Sequence, residues 1–173
     1  MQYLYAPWRG SYAKKHHSLS NTSESPFTAL FKEQNDKDTY ILCRLTYTGI
    51  ILNQYPYNPG HLLIIPYRQV GRLDALSHAE RYELMEAVNH SISILEQIAE
   101  NSGTNVGLNL GDKASGGSIL NHLHMHVIPR WHGDTSFLPL TANTKVLSED
   151  LNIVYRNLLK PFSELSIDIP ESL

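Results

Sequence analysis

The chain has 173 residues, 42% of them hydrophobic and 18% charged, with a formal net charge of −3. This length suits one domain with a substantial core, and the charge offers no global attraction to nucleic acid or an anionic membrane, so an anionic ligand must be held by local groups. The lone cysteine, Cys43, excludes an intrachain disulfide, the opening MQYLYAPWRGSYAKKHH has no apolar stretch of signal-peptide length, and no apolar run approaches membrane-spanning length; a cytoplasmic protein with no nucleic-acid or membrane partner is expected.

Residues 1–37 are mixed and polar, with SLSNTSESP reading as loop. A strand pattern begins at Thr39: TYILCRLTYTGIILNQY is rich in β-branched and aromatic residues, and Thr48-Gly49 is expected to break it into two strands. NPG at 58–60 marks a turn, and HLLIIPYR is a third short strand stopped at Pro66. The clearest helix follows. Ser77 can cap it with Glu80 as capping-box partner; Leu84, Val88, Ile92, Leu95 and Ala99 form one apolar stripe, and NSG at 101–103 ends it. TNVGLNLG, 104–111, reads as a fourth strand, and a small-residue loop, GDKASGGS at 111–118, leads into a fifth over 119–129. A last amphipathic helix, roughly 148–160, places Leu151, Val154, Tyr155, Leu158 and Leu159 on one side. The expected fold class is α+β, a five-stranded antiparallel sheet with one long helix and a C-terminal helix.

The fifth strand carries NHLHMHVIPRW, with His122, His124 and His126 at every second position. On a strand such residues share a face, and the outer pair stands roughly 13 Å apart at Cα. Metal–nitrogen bonds are only about 2 Å long, so three rings on one strand make a poor metal cage. They line a cleft well. A single strand histidine is commonly a half-buried polar residue, but three in register would be costly to bury without partners. The loop before them lets backbone N–H groups approach an anion, as a plain surface turn also would. Together they suggest phosphoryl chemistry, in which one imidazole attacks phosphorus and a neighbour protonates the departing oxygen.

His122-Leu-His124-Met-His126-Val-Ile resembles the signature of the histidine-triad (HIT) family, in which three histidines alternate with apolar residues. NQYPYNPGH at 53–61, Asn109-Leu-Gly111, the opening LYAPWR and the segment VIPRWHGDTSFLPLTANTKVL are similar to the branch of bacterial HIT hydrolases and diadenosine-tetraphosphate phosphorylases. The resemblance covers roughly residues 1–160 and implies a single HIT domain over 1–173, with a 1–37 extension, a 38–135 core and a 136–173 C-terminal segment. It implies a homodimer joining two five-stranded sheets and a small-molecule nucleotide substrate. His124 would attack the α-phosphorus and form a nucleotidyl-histidine that water or phosphate resolves. His126 would contact the scissile phosphate and assist the leaving group, His122 would orient the nucleophile, and His61 would support the triad. Asn53 would bind ribose, with Asn109, Gly117 and Ser118 near the phosphate. Histidine at 126, where the uridylyltransferase branch has glutamine, favours hydrolysis or phosphorolysis over hexose-phosphate transfer. Ser118 replaces a glutamine common in other branches.

Many relatives hold a structural zinc with Cys-x-x-Cys, a further histidine and the first triad histidine. Here Ser25, Thr28 and Gln69 stand at the first three of those places, and they are poor zinc ligands beside thiolate and imidazole. No zinc or other cofactor is expected. His16 and His17 read as solvated, as do His78 and His90 in the long helix. Lys113 and Arg130 flank the site but read first as surface cations; Trp131 and Cys43 read as packing residues. The leading expectation is an enzyme cleaving adenylylated substrates. Alternatives are a purine-nucleotide-binding regulatory protein with incidental phosphoramidate hydrolysis, and a metal protein using two triad histidines with His61.

Overall fold

Two apolar runs, Ile50–Leu52 and Leu62–Ile65, alternate their side chains between the two faces of a sheet and form its centre. The computed structural model describes residues 24–111, 119, 121–135, 142, 144 and 147–171. In chain order these give α1 (Pro26–Lys32), α2 (Asp36–Thr39), β1 (Ile41–Arg44), β2 (Thr48–Leu52), β3 (Leu62–Pro66), a 3-10 turn (Leu73–Ala75), α3 (His78–Ala99), β4 (Gly103–Gly107), β5 (Met125–Arg130) and α4 (Leu151–Ser163). The strands form one sheet in the order β1-β2-β3-β5-β4, each pair antiparallel. This is the expected α+β architecture. No described helix is long and apolar enough to cross a membrane.

One face of the sheet carries the main core. Leu42, Ile50, Leu52, Leu62, Ile64, Met125 and Val127 pack there against Leu84, Val88 and Leu95 of α3 and Val154, Leu158 and Phe162 of α4. The other face holds Ile41, Ile51, Leu63 and Ile65 beneath Phe27 of α1. A register shift between Ile41 and Cys43 puts both Leu42 and Cys43 in the main core.

The capping box forms as its spacing implies: Ser77 Oγ accepts the Glu80 N–H, and Glu80 accepts the Ser77 N–H at 2.6 Å. The Arg68 guanidinium beside Glu80 holds its carboxyl down to about 2. Along α3, Leu84, Val88 and Leu95 are buried, Ile92 and Ala99 half-buried.

Four expectations shift. Thr48-Gly49 is no turn: both lie in β2, and the chain reverses at Leu45–Tyr47, where Leu45 N–H donates to Thr48 O at 2.9 Å. The cause is Glu83 of α3, fully buried. Its carboxylate accepts the N–H groups of Thr46 (3.0 Å) and Tyr47 (2.7 Å) and the Thr48 hydroxyl (2.9 Å), holding the hairpin turn from beneath. Gly49 serves close packing instead, since a Cβ there would stand 2.2 Å from the Phe31 ring. The fourth strand ends at Gly107, and the fifth begins only at Met125, so His122 and His124 precede the ladder. The polar stretch to residue 37, for which no helix was expected, contains α1 and the start of α2, which takes in Thr39: Ser25 caps α1 by accepting the Phe27 N–H, and Pro26 starts it. The last helix lies three residues later than its pattern suggested, with Leu159 37% exposed and Phe162 fully buried.

Replacing Glu83 by Gln should destabilise the fold. The new NH2 group meets a main-chain N–H in place of an acceptor, and an orphaned buried donor costs about 1–3 kcal/mol. Urea denaturation should show a lower midpoint with unchanged slope.

Candidate active site

β5 lies between β3 and β4, with His126 opposite Leu63 on one side and Gly107 on the other. Although His122 and His124 precede the ladder, the alternation of faces persists through them. Leu123, Met125 and Val127 are buried in the main core, while His122 and His124 meet Phe27 on the opposite side, at ring-centroid distances of 5.6 and 5.2 Å. Among the described residues a Cβ at Gly107, beside His126, would meet nothing within 4 Å.

His61 enters from the turn before β3. Asn58 O accepts the His61 N–H at 3.1 Å, and Gly60 turns the chain at φ +78°, where a Cβ would press on Leu95 and Pro129 at 3.3 Å. Asn58 Nδ2 donates to Pro129 O (2.9 Å) and Asp134 Oδ2 (2.8 Å), and Asp134 pairs with Arg130. This lock ties the loop bearing His61 to the end of β5. Arg130, considered as a phosphate contact, is thus engaged with Asp134 and Asn105.

Main-chain groups settle where the ring protons lie, because an amide N–H only donates and a carbonyl only accepts. His124 Nδ1 stands 2.9 Å from the carbonyl of His122, so Nδ1 carries the proton and Nε2 has the bare lone pair. His61 Nδ1 receives the Tyr57 N–H at 3.1 Å, so its proton sits on Nε2, which donates to His126 Nδ1 at 2.9 Å. Neutral His126 therefore carries its proton on Nε2. Asn109 Nδ2 lies 3.3 Å from that nitrogen, and only with the amide turned over does its oxygen face the N–H. His122 Nε2 donates to Pro66 O at 2.7 Å, leaving a buried Nδ1 without a partner among the described residues. Adjacent rings of the row are thus opposite tautomers. At the exposed nitrogen, His124 offers an electron pair and His126 a proton, with ring centroids 5.1 Å apart.

Burial holds the pKa of both His122 and His124 below the ordinary imidazole value; the hydrogen bonds to Pro66 O and His122 O act in the opposite direction. The neutral, nucleophilic form of His124 is thereby favoured at neutral pH. Burial, then the Glu83 charge, pushes the Cys43 thiol up to about 11, which suits a core residue and not a nucleophile.

The structure brings His61, His122, His124, His126 and Asn109 together. Asn53 is close, but its amide braces the loop: Oδ1 accepts the Tyr55 N–H at 2.9 Å and Nδ2 points to His61 Nδ1 at 3.2 Å. Gly117, Ser118, Lys113, His16 and His17 lie outside the described residues. Sequence reasoning missed Phe27, Tyr57 and Asn58. Tyr57 stacks at 15° on His126, and only its place in the aromatic loop YPYNPG hinted at this. The zinc positions form a polar contact of their own. Gln69 Oε1 accepts the Ser25 N–H at 2.8 Å and the Thr28 hydroxyl at 3.5 Å, so three of the four zinc positions offer no thiolate or imidazole. Among the described residues no three His, Cys, Asp or Glu side chains converge as a metal site would require.

A family model described as the HIT domain matches residues 34–133. A protein named AP-4-A phosphorylase from Mycobacterium tuberculosis is 37% identical over 163 residues, which cover 91% of this chain and 83% of that one. A bis(5'-nucleosyl)-tetraphosphatase (asymmetrical) from Schizosaccharomyces pombe is 32% identical over 96 residues, 56% of this chain and 52% of that one. Among solved structures, a Zn-bound histidine triad family protein from Mycobacterium smegmatis superposes with a TM-score of 0.57, covering 71% of this chain and 83% of that one; at 20% identity the likeness is of fold.

The lowered pKa values predict a pH effect on stability. An unfolded chain protonates these rings below about pH 6.5, whereas the native protein resists. The unfolded state then binds more protons, so stability should fall as pH drops from about 7 toward 5. Urea midpoints across that range should show the slope, and His124→Asn should flatten it.

Proposed function

The chain belongs to the HIT domain family, and on that premise we propose that it is an enzyme transferring the nucleotidyl group of adenylylated small molecules, such as diadenosine polyphosphates, to water or phosphate. The observation that carries this reading is the hydrogen-bond pattern of the row, with His124 Nδ1 2.9 Å from the His122 carbonyl and His61 Nε2 2.9 Å from His126 Nδ1. His124 Nε2 attacks the α-phosphorus and becomes the nucleotidyl-histidine. Its Nδ1–H stays on the His122 carbonyl, which stabilises the positive charge that the ring acquires. His126 Nε2–H donates a hydrogen bond to the scissile phosphate, and His61 holds His126 in that tautomer. Asn109 lies beside the same nitrogen, on the phosphate side of the substrate; Asn53 is assigned to the ribose, and Gly117 and Ser118 to the phosphate. The names of the two similar proteins, a phosphorylase and a tetraphosphatase of dinucleotides, agree with this substrate class.

The working form is a cytoplasmic homodimer. β4 is an edge of the sheet, and Val106 on it and Leu110 beyond it are each 43% exposed, an apolar margin that a second copy would cover. The fold needs no structural zinc, since Gln69 bridges Ser25 and Thr28 directly.

Purified protein incubated with diadenosine tetraphosphate should give ADP and ATP when phosphate is the acceptor, or AMP and ATP when water is. His124→Ala should lower turnover by at least about a thousandfold while nucleotide binding survives. Equal turnover by the variant would overturn the assignment. A chelator should leave the melting temperature unchanged; a fall of several degrees would contradict the zinc-free reading.

A further inference from the structure

We infer that the Arg130–Asp134 ion pair governs turnover from outside the substrate: acting through Asn58 it positions His61, and Arg130 binds no phosphate of the ligand. This rests on the nucleotidyl-transfer reading above and makes Arg130, Asp134 and Asn58 positioning residues for that reaction.

Arg130 stands four residues after His126 on β5, so it shares the histidines' face and lies roughly 13 Å away at Cα. That placement alone would suit a cation meant for phosphate. The guanidinium is turned elsewhere. Its Nε and Nη2 form a bidentate pair with the two oxygens of Asp134, and Nη1 donates to Asn105 Oδ1 of β4 at 2.7 Å. All three nitrogens of the fork are thus engaged within the protein. The Asp134 side chain is only 11% exposed, so drawing Arg130 away to a ligand would leave a nearly buried carboxylate uncompensated.

Asp134 reaches this place by a tight turn. Trp131 O accepts the Asp134 N–H at 3.2 Å, and Gly133 between them takes φ +75°. Asp134 Oδ2 also accepts Asn58 Nδ2 at 2.8 Å and the Trp131 N–H at 3.2 Å. Asn58 is buried; its Nδ2 also donates to Pro129 O at 2.9 Å, and its carbonyl accepts the His61 N–H at 3.1 Å. A continuous path of contacts therefore runs from Arg130 through Asp134 and Asn58 to the main chain of His61, whose ring stands 2.9 Å from His126. The Arg130 guanidinium, with the N–H donors around it, holds the Asp134 carboxyl far below the usual carboxylate range, so the path stays charged and closed wherever imidazoles titrate. Displacing a supporting group by about 1 Å can cost about a hundredfold in rate. Binding of a substrate that the path never touches does not share that loss.

The test is the kinetics of Asp134→Asn, Asn58→Ala and Arg130→Lys on diadenosine tetraphosphate and diadenosine triphosphate. Each variant should lower kcat by about tenfold to a hundredfold, by the same factor for both substrates, with KM within about threefold of the parent. In a His61→Ala background none should cost more than about twofold further, because the path then positions nothing. If Asp134→Asn does not fold, Asn58→Ala decides, since it keeps the ion pair and cuts only the link to the loop; an unchanged kcat there would overturn the inference. So would full additivity with His61→Ala. Arg130→Lys raising KM, and more for the tetraphosphate, would make Arg130 a phosphate ligand and overturn it too. Hydrogen exchange at the Tyr57 and His61 amides needs no substrate: it should quicken in Asn58→Ala relative to the amides of β2, and equal protection would count against the path. If the parent turns over neither dinucleotide while that exchange still responds, the nucleotidyl-transfer reading fails, and the claim on turnover with it, while the path from Asp134 to His61 stands.

Discussion

The Tyr57 main-chain N–H, donated to His61 Nδ1, is the contact on which the proton arrangement of the site depends. Because that donor cannot become an acceptor, His61 must carry its proton on Nε2, and His126 must then carry its own on the nitrogen facing outward. The carbonyl of His122 imposes the opposite order on His124. Side-chain chemistry is thus dictated by backbone polarity, at no cost in extra charged groups. The arrangement is only as good as the backbone that holds it, which is why the lock of Asn58, Asp134 and Arg130 matters: it fixes the loop carrying Tyr57 and His61 against the end of β5.

The sheet places this loop against the triad. β3 and β5 are neighbours although 58 residues of chain lie between Pro66 and Met125, so His61, just before β3, comes within 2.9 Å of His126. Period-two alternation does the rest: each histidine faces the second side of the sheet because each intervening Leu123, Met125 and Val127 is drawn into the main core. Hydrophobic burial on one face therefore aims the chemistry on the other. Phe27, against His122 and His124, excludes water from the two rings whose pKa values burial lowers.

Much of this was legible in the residues. The capping box at Ser77 and Glu80, the apolar stripe of α3 and the alternating strands follow from local rules that tertiary packing did not override. The His122–His126 row announced a shared face, and the turn at 58–60 announced itself through Pro59 and Gly60. What escaped depended on distant partners. Thr48-Gly49 looked like a turn until Glu83, 35 residues on, took the hairpin's donors and moved the reversal upstream. The helix at Pro26 was hidden in a polar stretch because only Phe27 of it is buried. The bracing of His61 by Asn53 is a matter of amide orientation that no residue pattern carries.

The proton positions can be read directly. Long-range proton–nitrogen correlation spectra of the imidazole rings distinguish the two neutral tautomers and the charged form. Near pH 7 the hydrogen-bond pattern predicts His124 protonated on Nδ1 and His61, His122 and His126 protonated on Nε2. His124 found protonated on Nε2, or His61 on Nδ1, would contradict it.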